Sequence, residues 1–313
     1  MLRVPPARRA VPLAADAMYP AHDAQSRASW ITLADGERVR VVATGDPLAP
    51  PVLLLHGWGC SAFTWRHLAG PIAAAGWRAI AVDLRGHGLS DRPADPEKYS
   101  RDEMVTHLAA TMDALGVKRA PIIAHSMGGA VAMALALRSP ERVTRLALFG
   151  AVGFGIVDRA AWSQLLPPSV TGALLPSRIP RWAVKFALRH SRGEAGISDE
   201  QEVDEYWAPT QFPSFLNAMR LLLHAFTWAP WTPTELASVK QPVLLLFGDR
   251  DPVVRPQSVV PTLARCMCAA ELHVAQGAGH VVPEERPQWA LDHVLPFLGA
   301  PEPAVDFAVG AAG

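Results

Sequence analysis

Two alternating runs open the readable pattern, Trp30-Ile31-Thr32-Leu33 and Arg38-Val39-Arg40-Val41-Val42, parted by Ala34-Asp35-Gly36. Apolar and polar side chains in alternation mark half-covered strands, and a polar turn with glycine between them predicts a hairpin. The pattern then changes. Residues 52–55, 79–82, 122–124, 146–149 and 243–247 are short unbroken apolar runs, as expected of strands covered on both faces. Between them, 65–75, 101–115 and 128–138 carry helical patterning. Strands alternating with helices predict an α/β fold with a mostly parallel, doubly wound sheet. The alternation stops after Phe149 and resumes near Val243. The interval 151–239 holds Trp162, Trp182, Trp207, Trp228 and Trp231 among prolines and amphipathic stretches, which predicts an inserted helical cap. A strand over 271–274 and a helix over 284–298 close the pattern. The expected organisation is therefore a flexible extension (1–29), a core (30–150 and 240–299), a cap (151–239) and a flexible tail (300–313).

Composition narrows the partners. Half of the 313 residues are hydrophobic, enough for a large core with an inserted subdomain. The 29 Lys and Arg balance 29 Asp and Glu, so no global field favours nucleic acid or anionic lipid, and a small, largely neutral molecule is the expected partner. The apolar stretch 130–137 falls far short of the roughly 20 residues a membrane span requires. Prolines, Asp16 and Asp23 interrupt the leader, so no secretory segment forms. Cys60 stands alone and Cys266 and Cys268 are two residues apart, a poor disulfide framework that points to a reducing, cytoplasmic setting. No metal-binding spacing of His or Cys occurs, and no GxGxxG opens a helix after a strand, so neither a metal nor a nucleotide cofactor is expected. Nothing here addresses oligomeric state.

The candidate chemistry starts at Ala124-His125-Ser126-Met127-Gly128-Gly129, where a buried strand meets a small-residue helix. A serine hydroxyl becomes an effective nucleophile when it is exposed at the positive end of a helix beside a base, and a sharp strand-to-helix turn supplies that position. The turn brings backbones together, so the residues two before and two after the serine must be small; here they are Ala124 and Gly128. The segment resembles the nucleophile elbow of the α/β-hydrolases, with Ala in place of the usual first Gly. The alternative is an ordinary serine capping a helix.

Three further motifs carry the same resemblance. His56-Gly57-Trp58-Gly59 follows a buried strand and is similar to the His-Gly-x-Gly loop of these hydrolases, which implies an oxyanion hole formed by the backbone N–H groups of Trp58 and Met127. His56 then holds the loop rather than moving protons, and Asp83-Leu84-Arg85-Gly86-His87-Gly88 shapes the neighbouring loop. The family order Ser, acid, His places the acid after the strand at 243–247. Two carboxylates lie there, Asp249 and Asp251, and the family's Gly-x-x-Asp pattern counted from Gly248 favours Asp251. The turn from Gly150 to Gly155 has no carboxylate until Asp158. The base is His280, in a glycine-rich loop before the last helix, with Asp251 fixing its tautomer.

The resemblance implies a serine hydrolase without cofactor. Epoxide hydrolases and haloalkane dehalogenases share the scaffold but attack with aspartate, which Ser126 replaces. Hydrolysis of a small, largely apolar carboxylic ester through an acyl-enzyme is the leading expectation, since an aromatic cap suits an apolar acyl group, although these tryptophans can equally pack cap on core. Hydrolysis of a carbon–carbon bond in a dienoic diketone-type substrate uses the same triad. Esterases acting on acyl-carrier-protein methyl esters are a third relative, for which Arg178, Arg181, Lys185, Arg189 and Arg192 would form a carrier patch, against the plainer reading of a solvated helix face. A ligand-sensing receptor with little turnover is the alternative of a different class.

Overall fold

The computed structural model describes residues 11–154, 178–197, 199–257, 259, 267 and 270–300. Trp162, Asp158, Cys266, Cys268 and the expected tail beyond residue 300 lie outside the described residues. The opening runs form β1 (Ser26–Thr32) and β2 (Arg38–Thr44), an antiparallel pair. β3 (Pro51–Leu55), β4 (Arg78–Val82), β5 (Ala120–His125), β6 (Val143–Phe149), β7 (Val243–Gly248) and β8 (Ala270–Ala275) complete an eight-stranded sheet in the order β1-β2-β4-β3-β5-β6-β7-β8. From β4 to β8 all pairings are parallel, while β2 runs antiparallel to β4.

The unbroken apolar runs divide by parity into two cores. Leu53, Leu55, Ile122, Leu148, Leu245 and Phe247 face one way, onto α2 (Arg101–Ala114) and α3 (Met127–Arg138). Val52, Leu54, Ile123, Phe149, Leu244 and Leu246 face the other, onto α1 (Ala69–Ala74) and the C-terminal helix. Period-2 side chains covered on both faces are what forced both parities to be apolar.

Two expected helices are divided, and the second part of each carries a proline in its first turn. Over 65–75 the chain forms a 3₁₀ turn, Ala62–Trp65, and then α1, with Pro71 in its first turn. Between β6 and β7 the described helices are α4 (Arg181–Ser191), α5 (Glu200–Trp207), α6 (Pro213–Ala225) and α7 (Pro233–Ser238). The closing segment divides into α8 (Val282–Glu285) and α9 (Pro287–Leu298). Arg286, at φ −137°, ψ 57°, separates them, because a residue preceding proline is driven out of the helical region.

The expectation of a flexible extension over 1–29 is corrected where the structure describes it. β1 begins at Ser26, Met18 is buried, and the Tyr19 ring packs edge-on against Phe63 at 6.0 Å. The Tyr19 N–H donates to Glu205 Oε1 of α5 at 2.7 Å, and Arg40 donates to the Tyr19 carbonyl. The apolar and aromatic residues among the leader's prolines and acids are what attach it.

Candidate active site

β3 leads on to β4 on one side, whereas β5 lies on its other side, so the sheet reverses its winding between β3 and β5. Such a reversal opens a crevice at the carboxyl ends of the strands, and both candidate loops, His56 to Gly59 and the Ser126 elbow, leave from there. Ser126 has φ 51° and ψ −118°, the one positive φ on a non-glycine among the described residues. That strain, of order 1–3 kcal/mol, is held by Ser126 N–H to the Phe149 carbonyl at 2.9 Å and by Val152 N–H to the Ser126 carbonyl at 3.2 Å. The demand for small neighbours is met tightly: a Cβ at Gly128 would lie 2.4 Å from the His56 carbonyl oxygen, and one at Gly57 would lie 2.9 Å from Ser126 Cβ. Trp58 therefore sits on a loop pressed against the elbow. Met127 is the first residue of α3, where N–H groups have no intrahelical acceptor.

Asp251 and His280 meet Ser126 in one hydrogen-bonded row. His280 Nε2 is 2.9 Å from Ser126 Oγ, and His280 Nδ1 is 2.8 Å from Asp251 Oδ2. Because a carboxylate accepts, Nδ1 carries the hydrogen and Nε2 is left to accept from the serine hydroxyl. Asp251 Oδ1 accepts from Val253 N–H at 2.7 Å and Val254 N–H at 2.9 Å, which fixes the carboxylate. All three side chains are buried. Asp251, not Asp249, reaches the histidine. The Gly150 turn, which offers no carboxylate, backs the pair: a Cβ there would lie 3.1 Å from His280 Nδ1 and 3.2 Å from Asp251 Oδ2.

The other histidines of these motifs hold loops. His56 Nδ1 donates to the Gly57 carbonyl at 2.8 Å, Nε2 accepts from Leu84 N–H at 3.0 Å, and burial lowers its pKa. Asp83 accepts from Ala62 N–H at 2.7 Å, Leu89 N–H at 3.0 Å and Arg40 Nη1 at 3.1 Å, so it staples three segments. His125 Nε2 donates to the backbone carbonyl of His280 at 3.0 Å. Burial, with the charge of His280 second, holds the His125 pKa down to about 3, so it is a neutral donor.

The base loop also has a seat on the segment between β6 and β7 that the motifs did not reveal. His280 N–H donates to the Ser191 carbonyl at 2.7 Å, and Glu194 N–H to the Gly277 carbonyl at 2.7 Å. The Glu285 carboxylate accepts from Gly193 N–H at 2.7 Å, Gly279 N–H at 2.8 Å and Val281 N–H at 3.0 Å. Beside it, Glu284 receives Arg192 at 2.7 Å, Arg66 at 2.8 Å and the Tyr206 hydroxyl. Burial opposes ionisation of Glu284, but the guanidinium groups of Arg66 and Arg192 hold its carboxyl well below the usual range. The signal was available: two adjacent acids, Glu284 and Glu285, directly after the apolar run Val281-Val282-Pro283. The Cys60 thiol is pushed up to about 12, by burial first and then by Glu284, so it stays a thiol.

Several of the basic residues between β6 and β7 are paired with acids. Arg192 is buried in that cluster, while Arg181 pairs with Asp204 at 2.6 Å and Glu200 at 2.7 Å, and Lys185 pairs with Glu200. Among the described residues no group of three or more His, Cys, Asp or Glu could hold a metal ion, and no helix is long and apolar enough to cross a membrane.

A family model described as the alpha/beta hydrolase fold matches residues 50–287. The chain belongs to the α/β-hydrolase family. Among curated α/β-hydrolase relatives, it is 32% identical over 241 residues to a 2-hydroxymuconate semialdehyde hydrolase of Pseudomonas sp. (strain CF600), covering 74% of this chain and 80% of that one. Epoxide hydrolase A of Mycobacterium tuberculosis is 26% identical over 326 residues, covering 84% and 95%. Among solved structures, a meta-cleavage product hydrolase from Pseudomonas fluorescens IP01 superposes with a TM-score of 0.69 at 28% identity, covering 86% of this chain and 96% of that one. A carboxylesterase from Bacillus subtilis superposes with a TM-score of 0.71 at 22% identity, covering 91% and 94%, a likeness of fold alone.

Proposed function

We propose that this α/β-hydrolase is a serine hydrolase that cleaves a carboxylic ester of a small, largely apolar substrate through an acyl-enzyme, in a reducing, cytoplasmic setting. The observation that carries the reading is the 2.9 Å approach of His280 Nε2 to Ser126 Oγ, with Asp251 on the far nitrogen. Ser126 Oγ attacks the ester carbonyl while His280 Nε2 takes its proton. Negative charge collects on the carbonyl oxygen, where the N–H groups of Trp58 and Met127 receive it, each such donor worth about 3–4 kcal/mol. The alcohol leaves with the proton from His280. Water then repeats the sequence on the acyl-enzyme, and Asp251 stabilises the imidazolium each time.

Hydrolysis of a carbon–carbon bond in a dienoic diketone-type substrate is the second reading, and the 32% identity to a 2-hydroxymuconate semialdehyde hydrolase favours it. Both readings use Ser126, so the deciding experiment compares substrates on the same protein. Purified wild type and Ser126→Ala are assayed with p-nitrophenyl esters from acetate to decanoate and with a dienoic diketone-type substrate. Turnover of the esters, falling by about five orders of magnitude in Ser126→Ala, is the expected result. Turnover of the diketone with only slow ester cleavage would replace the leading reading by the second. Absence of turnover with either class, together with retention of a ligand, would point to a receptor.

A further inference from the structure

From Arg178 to Gly193 the sequence has five Arg or Lys and no acid, in a chain whose 29 cations and 29 acids balance. α4 lies within this segment and buries Leu188 alone. Trp182 is 72% exposed and Phe186 58% exposed. Four residues apart, these two aromatics stand on one face of the helix. The His190 ring continues the row, 3.8 Å from Phe186 between centroids. An amphipathic helix ordinarily turns its apolar stripe to the core, whereas the aromatic stripe of α4 faces outward.

Polar contacts hold the helix in this attitude. Arg181 pairs with Glu200 and Asp204, and Lys185 with Glu200, which ties α4 to α5 and neutralises those charges. Arg192 is buried against Glu202 and Glu284. Arg178 and Arg189 are exposed and form no ion pair among the described residues. The outer surface of the segment therefore combines two bare aromatic rings with two uncompensated cations. The exposed parts of one Trp and one Phe come to roughly 300 Å², well short of the about 800 Å² per partner that a stable protein interface buries. A lipid surface sets no such threshold: single rings enter the headgroup layer, where Trp is favoured, and cations beside them meet anionic headgroups.

We propose that the outer face of α4 docks this protein reversibly on an anionic lipid surface, with Trp182 and Phe186 entering the headgroup layer and Arg178 and Arg189 on the acidic headgroups. The neutrality of the whole chain does not oppose this. Exposed charges are screened beyond about 8 Å at physiological salt, so the local surplus of cations acts on a membrane that α4 touches, while distant acids do not.

The test is cosedimentation with vesicles of phosphatidylcholine alone and of phosphatidylcholine with about one-third phosphatidylserine, at about 0.1 M and about 1 M salt. Wild type is expected to bind the phosphatidylserine vesicles at low salt, at least about tenfold more weakly at high salt, and to bind phosphatidylcholine weakly. Trp182→Ser combined with Phe186→Ser should weaken binding at least about tenfold by removing the apolar anchor. Arg178→Gln combined with Arg189→Gln should weaken it about thirtyfold, the scale of two Arg near an anionic surface, and abolish the preference for phosphatidylserine. All four side chains are exposed, so p-nitrophenyl ester turnover in vesicle-free buffer should match wild type and verifies the fold of each variant. No binding to either vesicle, equal binding to both, or unchanged binding in either double variant would overturn the proposal. A wild-type dimer in sedimentation velocity that the aromatic double variant lacks, without vesicle binding, would give the face to a second copy instead.

Discussion

Both halves of the site are close-packed, but the base side carries a polar seat in addition. In the base loop a Cβ at Gly248 would lie 2.2 Å from the Ala278 carbonyl oxygen, and one at Gly279 2.5 Å from Gly193 N. On the nucleophile side, Ser126 and the Trp58 loop leave the ends of β5 and β3, and their spacing is fixed by the volume that Gly57 and Gly128 lack. On the base side, Asp251 and His280 stand on loops beyond β7 and β8, and polar contacts fix them: the Ser191 carbonyl, the Glu285 carboxylate and the cluster of half-buried Arg66 with buried Arg192, Glu202 and Glu284. Steric fixing tolerates no added atom, whereas polar fixing tolerates no lost partner. The same position in three dimensions is thus fragile in different directions according to what made it.

That contrast can be broken piece by piece. Asp251→Asn should have the largest effect, lowering kcat for an ester by about 10⁴ by presenting the wrong tautomer of His280, read in steady-state kinetics with folding checked by circular dichroism. Arg192→Met removes one cation from a buried cluster and should cost about 3–5 kcal/mol of unfolding free energy in urea, with kcat falling as well because Ser191, the adjacent residue, seats His280. Loss of stability at unchanged kcat would show that the base does not depend on its seat between β6 and β7. Gly57→Ala tests the other half: its Cβ would lie 2.8 Å from His125 Nδ1, and overpacking should cost about 1–3 kcal/mol, seen as a lower melting temperature with reduced kcat. The smallest effect belongs to Trp58→Phe, which removes the 3.2 Å bond from the indole N–H to the Met219 carbonyl of α6 and should cost about 1 kcal/mol by thermal denaturation.

The same division explains what could be read in the sequence. Backbone crowding at the elbow forces Ala124 and Gly128 to be small, and a sheet covered on both faces forces unbroken apolar runs, so the strands and Ser126 leave local marks. The row from Ser126 to His280 to Asp251 was reached through motif order. Glu205 and Arg192 left no comparable mark, because Tyr19 lies 186 residues from the one and Glu284 92 residues from the other, and a lone acid or arginine at such a position reads like any surface charge. The leader was misread for a related reason: its proline content speaks for a flexible chain, while the contacts of Met18 and Tyr19 with the core are long-range. The break before Pro287 was missed in the expected helix over 284–298, although proline acts on the residue that precedes it and so leaves a local mark.

The seat of His280 also sets where this molecule can be recombined. A transplant that exchanges the helical insertion at the ends of β6 and β7, the natural seams of the sheet, would carry away Ser191, Arg192, Gly193 and Glu194 and leave the recipient's Glu284 and Glu285 facing foreign chain. A workable chimera keeps residues 191–207 with the host and splices inside the insertion, after α5, whose Glu202 and Tyr206 belong to the same cluster, so that the exchanged module can bring a new substrate wall without taking the histidine's support with it.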